Sequence, residues 1–102
     1  MKIPSTFKVG KRHYKVVRTP TLARQAYGCI HFTPGIVLLA THDGRHPRKD
    51  TGKNGINHTF WHEVTHAILH DMGHKLTYDE AFVDAVAQRL NQIIETAKFE
   101  ES

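Results

Sequence analysis

The 102-residue chain has one cysteine, one tryptophan, and neither an internal repeat nor a low-complexity tract. A lone Cys29 cannot close an internal disulfide, so a small fold stapled by disulfides is excluded. No apolar run approaches the ~20 residues of a helical membrane span, and no membrane association is expected. Met1-Lys2-Ile3-Pro4-Ser5 carries a positive charge that no apolar segment follows, so a signal peptide is not expected and a cytoplasmic location is. Acids are scarce in the first half. Residues 1–56 hold Asp43 and Asp50 against eleven Lys/Arg, whereas residues 57–102 hold eight Asp/Glu against three Lys/Arg. The basic half suits an acidic protein or nucleic acid. No helix-turn-helix, aromatic RNA-binding or zinc-finger pattern accompanies it, so a nucleic-acid partner is not the favoured reading. Solvated strand faces and attraction between the two halves explain the asymmetry more simply.

With 39% hydrophobic and 24% charged residues, the composition is that of one globular domain spanning 1–102. The first half reads as strands. Phe7–Arg12 and His13–Arg18 alternate partially, with Gly10-Lys11 as the turn between them. Thr19-Pro20-Thr21 breaks the pattern, and Leu22–Ala26 fits a short helical turn or loop. Tyr27–Phe32 is a third strand, closed by Thr33-Pro34-Gly35. Ile36–Ala40 is apolar throughout, as in a strand buried on both faces or at a sheet edge under a helix. Such a strand could pair with an extended peptide. The polar, turn-rich Thr41–Gly55 is expected as a loop, either a flap or plain surface.

The second half reads as two helices. The first is expected from an Asn57 N-cap to about Met72, with Gly73 as its stop. The second is expected from Thr77, where Thr77-x-x-Glu80 matches a capping box. Its stripe runs through Phe82, Val83, Val86, Ala87, Leu90, Ile93 and Ile94. A short link, His74–Thr77, makes the two helices antiparallel neighbours.

Histidines recur every four residues at His58, His62, His66, His70 and His74. Each step turns an α-helix about 400°, so the row's ends lie roughly 160° and 24 Å apart and cannot serve one ion. Only His62/His66 has a glutamate directly after its first member, in His62-Glu63-Val64-Thr65-His66. Two imidazoles one turn apart can grip one Zn²⁺, with Glu63 as the base toward the water that the ion activates. The apolar stripe Ile56, Phe60, Val64, Ile68 and Met72 centres almost opposite this pair, so one face packs while the other presents imidazoles.

A catalytic zinc site needs a third protein ligand. The second helix offers Glu80 and Asp84, one turn apart. Glu80 lies nearer the packed boundary and reaches further, and is the expected ligand. Asp84 is the alternative, and either acid can instead orient a ligand imidazole from behind. Cys29 is a further alternative, because Tyr27-Gly28-Cys29-Ile30 superficially resembles the Gly-Cys strand of peptide deformylases. Tyr78, His70 and His74 are the nearest candidates for an oxyanion helper.

The segments Thr59–His70 and Asp79–Leu90 resemble the ending of small ImmA/IrrE-type metallopeptidases, minimal gluzincins often encoded by phages and mobile elements. The resemblance is specific over residues 56–94 and extends upstream only in the order of elements. It implies an α+β, zincin-like fold: a small antiparallel sheet of about three or four strands against two antiparallel helices. It also implies His62 and His66 as zinc ligands, Glu63 as base, and an acid of the second helix as third ligand. The second helix lacks the Glu-x-x-Ala-Asn-x-Phe-Ala segment of larger members, so either Glu80 or Asp84 can take the acidic place. The implied activity is zinc-dependent hydrolysis of a peptide or protein, in the host cytoplasm if the chain is phage-encoded. The competing expectation is a non-catalytic zinc-containing binding module whose basic face contacts an acidic protein or nucleic acid.

Overall fold

A computed structural model describes residues 1–46 and 48–100. Four strands and two helices follow one another as β1 (Thr6–Val9), β2 (Arg12–Thr19), β3 (Gly28–His31), β4 (Ile36–Ala40), α1 (Gly52–Asp71) and α2 (Glu80–Thr96), with a short 3₁₀ turn at Ala23–Gln25. The class is α+β, as expected. Gly10 takes the left-handed backbone (φ +59°) that lets β1 and β2 form an antiparallel hairpin.

The strand order is β1-β2-β4-β3. β3 and β4 form an antiparallel hairpin, but β4 inserts beside β2 and runs parallel to it, so the sheet is mixed. The apolar run Ile36–Ala40 explains the insertion. A strand with neighbours on both sides and a helix on one face buries nearly every residue, and Val37, Leu39 and Ala40 are buried. Both edges of β4 are therefore taken. Strand addition to Ile36–Ala40 is ruled out, and the free edges belong to β1 and β3.

α1 lies on one face of the sheet, and α2 packs on α1 alone. Tyr14, Val37, Leu39, Ile56, Phe60, Val64 and Ala67 form the core between sheet and helix. α1 is thus covered on two sides, which alters the expected stripe. Ile56, Phe60 and Val64 are buried, but Ile68 and Met72 are 37% and 65% exposed, and Ala67 and Leu69 are the buried apolar residues of the last turns instead.

Two boundaries differ from expectation. α1 starts at Gly52, five residues before Asn57, whose side chain is buried and donates to Glu95 Oε1 at 3.1 Å. Asn57 ties the two helices together and caps nothing. α2 starts at Glu80 rather than Thr77. Its N-cap is Asp79, whose carboxylate accepts from the Phe82 amide at 2.9 Å, so no capping box forms. The link between the helices is accordingly longer than four residues. At the end of α1 the expected Gly73 stop is present: Gly73 (φ +62°) donates to the His70 carbonyl and His74 to the Leu69 carbonyl, a Schellman closure. No helix is long and apolar enough to cross a membrane.

Candidate metal centre

His62 and His66 lie one turn apart on α1, with ring centroids 5.0 Å from each other. Freed from a capping role, Glu80 reaches across from the first turn of α2. Its Oε2 is 2.8 Å from His62 Nε2, and its Oε1 is 3.2 Å from His66 Nε2. One ligand atom from each of the three residues falls within 4.8 Å of the others, so the group can hold a metal ion. Among the described residues, it is the one such group.

The hydrogen-bond chemistry around the rings fits a cation. His66 is buried, and its Nδ1 is 2.7 Å from the Thr77 carbonyl oxygen. A carbonyl can only accept, so Nδ1 carries the proton and, in a neutral ring, Nε2 turns a lone pair toward Glu80. Two lone pairs facing each other repel unless a proton or a metal ion lies between. At His62 both nitrogens face carboxylates, Nδ1 being 3.3 Å from Asp84 Oδ1. A neutral imidazole can donate to only one of them.

Asp84 sits behind His62 and outside the triad. Its Oδ1 accepts from His58 Nε2 at 2.7 Å as well as facing His62 Nδ1. The His58 hydrogen bond is the main reason its carboxyl is held below the usual range. Asp84 thus takes the orienting position, and Glu80 the place facing both Nε2 atoms. His58 braces that orientation. Nothing in the four-residue spacing distinguished this from a role in lining the cleft.

Glu63 is 5% exposed and lies in the same cleft, a hollow of about 290 Å³ lined also by Gly28, Cys29, Ile30, Phe32 and Tyr78. Burial pushes its carboxyl up to about 7; the His62 ring pulls downward and the Glu80 carboxylate upward, each less strongly. Gly28 makes that burial possible. A Cβ there would lie 2.5 Å from Thr59 Cγ2 and 3.0 Å from Glu63 Oε1, so α1 approaches β3 only over a glycine. Sequence reasoning passed over Gly28. Its signal was a glycine inside an otherwise strand-like run, which often marks a close backbone approach.

The remaining candidates separate. Cys29 lines the cleft but lies outside the triad. Burial, and secondarily Glu63, push its thiol up. Tyr78 lines the cleft and is 74% exposed. His70 and His74 do not line it: His70 stacks on Phe32 with centroids 3.9 Å apart, and His74 Nδ1 accepts from the Leu76 amide at 3.0 Å.

No protein-family model, curated protein or solved structure matches this chain.

Proposed function

We propose that the chain is a zinc-dependent metallopeptidase of minimal gluzincin, ImmA/IrrE-like type, acting on a peptide or protein. One observation carries the reading: a buried carboxyl, Glu63, shares a cleft with a His-His-Glu group able to hold a metal ion. A structural zinc site asks for four protein ligands and no base. Here the group numbers three among the described residues, and a base stands beside it. That favours the enzyme over a non-catalytic zinc module.

His62, His66 and Glu80 would hold the ion, with Asp84 and the Thr77 carbonyl fixing the two rings. A bound zinc supplies Lewis acidity that polarises a carbonyl and makes water more acidic. Glu63 takes the proton of the attacking water and delivers it to the leaving amine nitrogen. The phenol of Tyr78, at the cleft's rim, is the group available to donate to the carbonyl oxygen as it gains charge. The free edge of β3, running past the triad, offers main-chain groups to an extended peptide.

The test is digestion of a proteome-derived peptide library by the zinc-loaded protein, read by mass spectrometry. Cleavages made by the wild type and missing with Glu63→Gln support the reading. Identical cleavage patterns from both proteins overturn it.

A further inference from the structure

A second cavity, of about 730 Å³ against about 290 Å³ for the metal cleft, opens where the start of the chain meets the first turn of α1 and the end of α2. The two cavities share no lining residue. Lys2, Arg18 and Lys53 line the larger one, with Glu95 as its acid. Glu95 is already engaged, since its Oε1 accepts from Asn57 Nδ2 at 3.1 Å and from the Met1 amine at 3.3 Å. Three cationic side chains therefore line the cavity with a single carboxylate, one oxygen of which is already engaged. Like charges gathered in this way repel one another, and an anion between them removes the penalty.

The first turn of α1 contains no acid and places Lys53 there, while Asp50, just before the helix, accepts from the Gly52 amide at 2.6 Å. The cavity is too wide for one carboxylate. A guanidinium fork on Arg18 and two ammonium groups lining the same cavity match a ligand bearing several oxygens and more than one charge.

From this arrangement we infer that the cavity binds phosphate groups, carried either by a free polyphosphate or by the backbone of a single-stranded nucleic acid. This accounts for part of the basic excess that the metal centre leaves unused. It is independent of the peptidase reading.

The experiment uses the full chain with two probes: inorganic tripolyphosphate by calorimetry, and a fluorescein-labelled oligothymidylate by anisotropy. Arg18→Gln with Lys53→Gln is expected to weaken binding about tenfold or more, whereas the equal charge change Lys8→Gln with Lys15→Gln alters it less than about twofold. Saturable tripolyphosphate binding identifies a free polyphosphate as sufficient. Oligothymidylate binding without it, weakened by the same pair, identifies a nucleic-acid backbone. Circular dichroism checks the fold. If replacing Arg18 disturbs β2, Lys2→Gln with Lys53→Gln takes its place. Three results overturn the inference: neither probe binds; both charge-matched pairs weaken binding equally, which marks a diffuse effect of net charge; or polyglutamate binds as tightly as tripolyphosphate.

Discussion

His66 Nδ1 lies 2.7 Å from the carbonyl oxygen of Thr77, and this contact decides which nitrogen the ring presents to Glu80. The turn between the helices thus does more than connect them. With Nδ1–H donated to a backbone acceptor, the neutral ring of His66 carries its lone pair on Nε2, aimed at the carboxylate of α2. Asp84 does the corresponding work for His62 from the other side.

The division between a ligand and an orienting acid can be measured. Asp84→Ala removes the acceptor behind His62 and leaves all three ligand atoms in place, so zinc affinity should fall about 10–100-fold rather than vanish. Competition with a chromogenic chelator reads the change. Loss of all zinc binding would instead make Asp84 a ligand.

Glu63→Gln keeps the shape of the side chain and removes its basicity. Turnover should fall about 10²–10⁴-fold while zinc content stays at the wild-type level. Parallel loss of zinc would mean that Glu63 acts on the metal rather than on water.

Glu63 also makes the metal-free fold pH-sensitive. Its carboxyl titrates near 7 in the folded chain against 4.5 ordinarily, because burial disfavours the charge. The folded state therefore holds the proton more tightly than the unfolded chain between those values. Stability falls as pH rises from about 4.5 to 7, and the full cost, on the order of 3 kcal/mol, is present above about 7. Chemical denaturation of the metal-free protein at pH 5 and pH 8 should show a loss in the wild type that Glu63→Gln lacks. Equal pH dependence in the two proteins would remove Glu63 as the cause.

Gly28→Ala should destabilise the protein by about 1–3 kcal/mol, because the new methyl group meets Thr59 Cγ2 and Glu63 where β3 and α1 touch. Adding Thr59→Ser removes that Cγ2 and retains a hydroxyl for the Gly55 carbonyl, so part of the lost melting temperature should return. No recovery in the double variant would place the strain elsewhere.

Much of this architecture was legible in the residues. His62, Glu63 and His66 form a local pattern whose geometry follows from helix pitch, and Gly10-Lys11 and Gly73 are local punctuation with one dominant outcome. What stayed hidden depended on partners distant in sequence. The run Ile36–Ala40 announces burial but cannot say which strands flank it, and the β2–β4 pairing follows from the whole sheet. Asn57 and Thr77 both look like caps. One is claimed by Glu95 across the helix pair, and the other yields to Asp79, two residues on, once the turn is built. That second shift frees Glu80, so the choice between Glu80 and Asp84 rests on a boundary that propensity places no better than a few residues.

The most direct measurement is zinc per chain, by elemental mass spectrometry after dialysis, in the wild type and in Glu80→Ala. The site described here predicts one zinc per chain in the wild type, retained in Glu63→Gln and lost in Glu80→Ala. Equal zinc in the wild type and Glu80→Ala, or a wild type that takes up none when zinc is supplied, would contradict it.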